Sequence, residues 1–218
     1  MVAGSLVVAL LVGVLLVAEL RDLAGLRWVA KPLASLAFVG LAWHGGVLSQ
    51  GWGVPMFGGF VLCMVGDVLL IPADKRVFLA GIAAFLLGHV GFAVAFALRG
   101  IDPVPAAAAA GALVPAAAVV MRWLRPHLVG PMRVAVPSYV VVICAMVALA
   151  WGTRGVGGGG VPILLVVGAM LFWVSDLCVA RQRFVTTDWR NRLVGLPLYY
   201  GAMVVLAWGA AGSPEELP

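Results

Sequence analysis

Eight long apolar stretches, approximately residues 3–20, 29–48, 54–72, 76–98, 103–122, 133–151, 160–180 and 193–211, leave this chain few ways to fold. A bilayer core about 30 Å thick is crossed by roughly 20 apolar residues of helix, which is the length of each stretch. Backbone N–H and C=O groups find no water at that depth, so each stretch must satisfy its own hydrogen bonds as a helix. Charged residues make up only 11% of the chain, hydrophobic residues 64%, and mean hydropathy is +1.12. Soluble domains carry about 25% charge. The predicted fold is all-α: a polytopic membrane bundle of eight transmembrane helices, one domain over residues 1–218. Breakers separate the stretches at Gly51 to Pro55, Asp102 to Pro105, Pro126 with Pro131, and the Gly157–Gly160 run. The fifth stretch is alanine-rich and contains Pro115, which membrane helices tolerate where neighbours satisfy the freed carbonyl. The first stretch has neither a charged leader nor a convincing cleavage site and reads as a retained helix.

Charge placement sets the expected orientation. Arg21, Arg27 and Lys31 border the first connection, Lys75 and Arg76 the third, Arg122, Arg125 and Arg133 the fifth, and Arg181, Arg183, Arg190 and Arg192 the seventh. Only Arg99 and Arg154 fall on the opposite side. Positive residues mark the cytoplasmic face, so both termini are expected outside the cytoplasm. Trp28, Trp43, Trp52, Trp123, Trp151, Trp189 and Trp208 lie near the ends of the stretches, as an interfacial aromatic belt requires. Twelve arginines against two lysines point to a GC-rich, bacterial source and thus to the cytoplasmic (inner) membrane.

Several function classes drop out. No basic run is long enough for a nucleic-acid surface. Cys63, Cys144 and Cys178 all sit in apolar stretches, an odd number with neither disulfide nor metal spacing. His44, His89 and His127 are too scattered for an intramembrane zinc hydrolase. There is no G-x-S-x-G elbow and no glycine-rich phosphate loop.

Two aspartates stand out against this background: Asp67 in FVLCMVGDVLL and Asp176 in GAMLFWVSDLC. A carboxylate at mid-bilayer costs roughly 2.5–3.5 kcal/mol on insertion scales, so such a residue faces a polar cavity and has work there. Measured by helical rise from the nearest cytoplasmic basic residue, Asp67 lies roughly 12 Å deep, Asp176 roughly 8 Å, Tyr139 roughly 9 Å and Tyr199 roughly 10 Å. Four helices thus bring a polar group to one layer, with Lys31 opening the second stretch on the same face. A pocket open toward the cytoplasmic leaflet is expected. The aspartates stand 109 positions apart, half the chain, as in a four-plus-four parallel repeat.

Most of the accompanying residues admit two readings. Lys31 fits a snorkelling anchor and also a phosphate contact, aided by free N–H groups just beyond Pro32. Tyr139, Tyr199 and Tyr200 fit belt aromatics, though they sit one to two turns deep for that. Ser138 is a candidate substrate contact, yet it and Ser175 also fit hydroxyls bonded back to their helix. His89 lies roughly 20 Å from Arg76 by helical rise and suits either an interhelical hydrogen bond or a site residue. His44 and His127 look incidental.

At these residues the chain resembles the YhhN/TMEM86 family of membrane proteins. The resemblance is carried by WVAKPLASL (28–36), MVGDVLL (64–70), FLAGIAAFLLGHVGF (78–92), PSYVVVI (137–143), FWVSDLCVARQRF (172–184) and LPLYYGAM (196–203). Two departures are Phe92, where a tyrosine often follows the Gly-His pair, and Met203 in place of a glutamine. The resemblance implies an eight-helix fold and hydrolysis of the vinyl ether bond of a lysoplasmalogen, an alkenyl lysophospholipid, to a fatty aldehyde and a glycerophospho-alcohol. It also implies that Asp67 and Asp176 match the family's invariant acids.

Two carboxyl groups suit that reaction. Protonation of the outer alkene carbon gives an oxocarbenium ion, which water captures to form a hemiacetal. One carboxyl must therefore arrive protonated, while a second stabilises the cation and activates water. Burial disfavours the charged form of a carboxyl group and a nearby cation favours it, so two environments can divide these duties. Glycosidases divide them similarly. In this reading Asp67 and Asp176 are catalytic. Lys31 holds the phosphate, Tyr139 or Tyr199 orients a carboxylate or water, and Tyr200, His89 and Ser138 complete the substrate contacts. No metal or organic cofactor is called for, and the partners are the lysophospholipid and the bilayer. A proton-coupled transporter using the same carboxylates as relays is the main alternative. An intramembrane aspartyl protease ranks behind it, because the sequence before Asp67 lacks the first glycine of a Gly-x-Gly-Asp signature.

Overall fold

The computed structural model describes residues 1–156 and 161–211, so the Gly157–Gly160 linker lies outside the described residues. Eight α-helices follow one another: α1 (Val2–Leu20), α2 (Ala24–His44), α3 (Gly53–Leu69), α4 (Lys75–Arg99), α5 (Pro103–Leu124), α6 (Met132–Gly152), α7 (Val161–Ala180) and α8 (Trp189–Gly209). No strand occurs among the described residues. Six of these helices are long and apolar enough to cross a membrane, and the chain is an integral membrane protein. The other two are α2, which carries Arg27 and Lys31 in its first half, and the 17-residue α3. At about 1.5 Å per residue α3 is shorter than the bilayer core. These two helices build the Asp67 side of the site.

Local chemistry sets the helix starts. The Asp74 carboxylate accepts the Arg76 and Val77 N–H groups at 2.8 and 3.0 Å, Asp102 accepts Val104 N–H at 2.9 Å, and Asp188 accepts Arg190 N–H at 3.0 Å. Each fills the N-cap position and satisfies an otherwise orphaned donor. Pro103 then occupies the first position of α5, where a missing N–H costs nothing. The second helix begins at Ala24 rather than near residue 29, so Pro32 is interior. Lys31 therefore does not open a helix, and the expected free N–H groups beside it are already engaged in the helix.

Packing is tightest within α3–α4 and α7–α8, and glycines permit it. A Cβ on Gly91 would sit 2.9 Å from the Pro55 carbonyl oxygen and 3.1 Å from Gly59 N, so only glycine lets these backbones meet. Close small-residue contacts of this kind drive helix association in lipid. The contact pattern also recurs: α1–α2, α2–α3 and α3–α4 are matched by α5–α6, α6–α7 and α7–α8, while α2–α8 is matched by α6–α4. Phe38, Phe60, Phe92, Phe172, Tyr199 and Tyr200 form the aromatic centre, with Phe60 and Phe92 rings at 5.1 Å and Phe172 and Tyr199 rings at 5.3 Å. Leu10, Val104, Val114, Val119 and Val141 are exposed on the outside of the bundle.

Candidate active site

Asp67 lies in the last turn of α3, and its side chain is almost wholly enclosed. Its Oδ2 accepts the Tyr199 hydroxyl at 2.7 Å and the Ser35 hydroxyl at 2.7 Å. Lys31 Nζ stands 3.3 Å from Oδ1. Lys31 and Ser35 are four residues apart on α2, and so share the face turned to Asp67. Ser35 has one proton, and with it given to Asp67 its oxygen can accept from Tyr200, 3.3 Å away. Tyr200 also lies 3.4 Å from the Lys31 carbonyl, which the Ser35 hydroxyl approaches at 3.0 Å. Three donors, one of them a cation, converge on Asp67. That arrangement holds a carboxylate.

Asp176, on α7, has a different setting. Its Oδ2 accepts the Tyr139 hydroxyl from α6 at 2.8 Å, and His89 Nε2 from α4 lies 3.6 Å from the same oxygen. No cation from Lys or Arg reaches it among the described residues, and no protein donor meets Oδ1. His89 is fully buried, its ring 4.3 Å from that of Phe172 and 5.1 Å from that of Tyr139. Its Nδ1 is 2.7 Å from the Phe85 carbonyl, which can only accept, so Nδ1 carries a proton. Nε2 is left as the one buried side-chain polar atom without a partner among the described residues.

Both carboxyl groups line one cavity of about 430 Å³, within the size range of small-molecule sites. Glu19, Arg27, Arg183 and Arg192 frame its polar end, and Arg27 and Arg192 both pair with Glu19. Val120 and Leu124 of α5 and Val140 and Ile143 of α6 form an apolar wall. The neighbours of each aspartate come from both halves of the chain. Asp67 is held by α2 of its own half and α8 of the other; Asp176 is held by α6 of its own half and approached by α4 of the other.

Asp67, Asp176, Lys31, Tyr139, Tyr199, Tyr200 and His89 are thus brought together. Ser138 is not: it is exposed and bonds back to the Val134 carbonyl at 3.0 Å. Successive helical residues point about 100° apart, so with Tyr139 facing the site its neighbour turns away. Ser175 also bonds within its helix, to Phe172 O at 2.7 Å, and His44 and His127 are exposed. Sequence reasoning missed Ser35 and the pairing of Glu19 with two arginines. The signal for Ser35 was its four-residue offset from Lys31. Three or more His, Cys, Asp or Glu side chains grouped for a metal ion do not occur among the described residues.

The sequence profile of the YhhN family matches residues 26–210. Lysoplasmalogenase TMEM86A of Bos taurus is 30% identical over 173 residues, covering 74% of this chain and 67% of its own. Lysoplasmalogenase TMEM86B of Homo sapiens is 31% identical over 195 residues, 87% of this chain and 78% of its own. A lysoplasmalogenase of Mycobacterium tuberculosis is 31% identical over 176 residues, 77% of this chain and 62% of its own. No solved structure matches the chain.

Proposed function

The chain belongs to the YhhN family, and on that premise we propose that it hydrolyses the vinyl ether bond of a lysoplasmalogen in the bacterial cytoplasmic membrane. In this reading all eight helices cross the bilayer, both termini lie outside the cytoplasm, and the substrate enters from the inner leaflet. One observation carries the proposal: Asp67 and Asp176 face the same cavity from unlike surroundings. The names of its relatives, lysoplasmalogenases at about 30% identity, agree with it.

The difference between the two settings supports a division of roles. Asp67, with Lys31 and two hydroxyl donors, is the carboxylate. Asp176, with neither a Lys or Arg partner nor a donor to Oδ1 among the described residues, is the acid. It gives its proton to the outer alkene carbon; the π pair forms the new C–H bond and leaves an oxocarbenium ion between the two carboxylates. Water adds to the cationic carbon and loses a proton to Asp67, giving the hemiacetal. Asp67 then returns that proton to the departing ether oxygen, while the hemiacetal hydroxyl passes its own to Asp176. Aldehyde and glycerophospho-alcohol leave, and both carboxyl groups are reset. Tyr139 and Tyr199 fix the carboxyl orientations, and the α5–α6 wall takes the alkenyl chain.

The test is aldehyde release from an alkenyl lysophospholipid by detergent-solubilised Asp67→Asn and Asp176→Asn protein. General acid–base catalysis contributes about 10²–10⁴-fold, so each variant should lose at least about 10² in rate. If either inserts normally and turns over at the wild-type rate, the assignment is wrong.

A further inference from the structure

We propose that Arg183 and Arg192 bind the phosphate of a single-chain phospholipid at the mouth of the aspartate cavity, an assignment that rests on the hydrolase reading of that cavity. Lys31 is not free for this task. Its ammonium stands 3.3 Å from Asp67 Oδ1, and its side chain is only 13% exposed. The phosphate must therefore find other cations.

Arg183 reaches the cavity from a π-helical turn, Arg181–Val185, that ends α7. Thr186 N–H bonds to the Arg181 carbonyl at 2.9 Å to close that turn, a local irregularity frequent at functional sites. The Arg183 guanidinium lies 4.7 Å over the Phe78 ring and donates to the Leu70 carbonyl at 3.3 Å. Among the described residues no carboxylate lies within ion-pair distance of it. Arg192, in the first turn of α8, faces the same cavity and shares Glu19 with Arg27. Asp22 takes the outer side of Arg27 at 2.9 Å. Three guanidiniums thus meet two carboxylates: Arg27 has Asp22, Arg192 has Glu19, and among the described residues the unmatched positive charge is that of Arg183. Arg183 and Arg192 line one cavity, where a single anion can meet them together. Guanidinium forks match phosphate oxygens two at a time.

The spacing suits one substrate spanning both ends. Arg183 follows Asp176 by seven residues, and Tyr199 follows Arg192 by seven. Helical rise places the arginines roughly 10 Å toward the mouth. Five bonds separate the sn-1 ether oxygen of a lysophospholipid from its phosphorus, and the long arginine side chains cover the remainder. The alkenyl carbons then lie at the aspartates and the phosphate at the mouth.

The test uses the full chain in detergent with a saturated 1-O-alkyl lysophospholipid, which lacks the vinyl ether and cannot be cleaved. The control ligand is the matching 1-O-alkylglycerol, which has no phosphate. By titration calorimetry, Arg183→Gln and Arg192→Gln should each weaken the phospholipid about tenfold, and the Lys variants about threefold, with the alkylglycerol unchanged. The Lys variants keep the charge and serve as the readout should the Gln variants not fold. No loss for the phospholipid, or an equal loss for both ligands, overturns the proposal. A soluble glycerophospho-alcohol should displace the ligand where the same concentration of inorganic phosphate does not; equal displacement would mark a free-phosphate site and also overturn it. Arginine-dependent binding without aldehyde release from the vinyl ether analogue would leave the phospholipid site standing and sink the hydrolase reading instead.

Discussion

Lys31 and Asp67 form an ion pair at 3.3 Å in which neither side chain is more than 13% exposed. A buried pair of this kind is weak evidence for net stability, but removing one partner strands the other charge. Lys31→Met should therefore destabilise the fold by about 3–5 kcal/mol, and adding Asp67→Asn should recover much of that loss. Thermal unfolding in one detergent across the two single variants and the double variant measures the coupling. Additive losses would contradict it.

Tyr139→Phe removes the hydroxyl that orients Asp176 at 2.8 Å and leaves the ring in place. Asp176 becomes a carboxylate as its proton leaves, and a hydrogen bond to a charged group is worth about 1.5–3 kcal/mol, so kcat should fall about 10–100-fold with little change in melting temperature. Steady-state aldehyde release, read beside a melting curve, checks both halves of this expectation.

His89→Phe should retain the packing against Phe172 while removing the unpartnered Nε2 that faces Asp176. The expected outcome is a folded protein with reduced kcat and nearly unchanged affinity for the uncleavable alkyl lysophospholipid. A variant as active as wild type would show that the ring only fills space.

Gly91→Ala drives a Cβ to 2.9 Å from the Pro55 carbonyl oxygen, which is backbone and cannot swing aside. A loss of about 1–3 kcal/mol is expected from such overpacking. Gly111→Ala meets nothing within 4 Å in α5 and should instead be neutral or stabilising by up to about 1 kcal/mol. Melting temperatures of the two variants, taken together, separate tight packing from helix propensity.

Turnover should be unchanged in EDTA, because each proton transfer in the proposed cycle runs between the substrate, water and the two carboxyl groups. Aldehyde release before and after chelation reads this directly, and recovery on adding back a metal would point to a different chemistry.

Much of the site could be read from the chain because charge is scarce in it. A lone aspartate in an apolar run has few explanations, and helical rise alone brings Asp67, Asp176, Tyr139 and Tyr199 to one layer. The misreadings have physical causes. Basic residues near a helix end look like the end itself, so apolar patterning alone starts α2 and α8 about four or five residues late, although Arg27, Arg190 and Arg192 are helical. Ser138 follows the other reading open to it, a hydroxyl bonded back to its own helix, because adjacency to Tyr139 along a helix is not adjacency in space. Tyr199 and Tyr200 show the converse: both take part because Asp67 and Ser35 approach α8 from two different helices. Ser35 escaped notice because a single serine in an apolar helix ordinarily bonds to its own backbone, and here it lies within reach of both partners.

The crossed placement of the aspartates' neighbours has a consequence for how this protein could be taken apart. With α2 and α8 serving one aspartate and α6 and α4 the other, a fragment ending after α4 would own one reacting group and the spare histidine belonging to its counterpart. Neither piece could work alone. Split at the loop between α4 and α5, the chain should regain turnover only when the two fragments are produced together and re-associate, so that chemical competence reports directly on their docking.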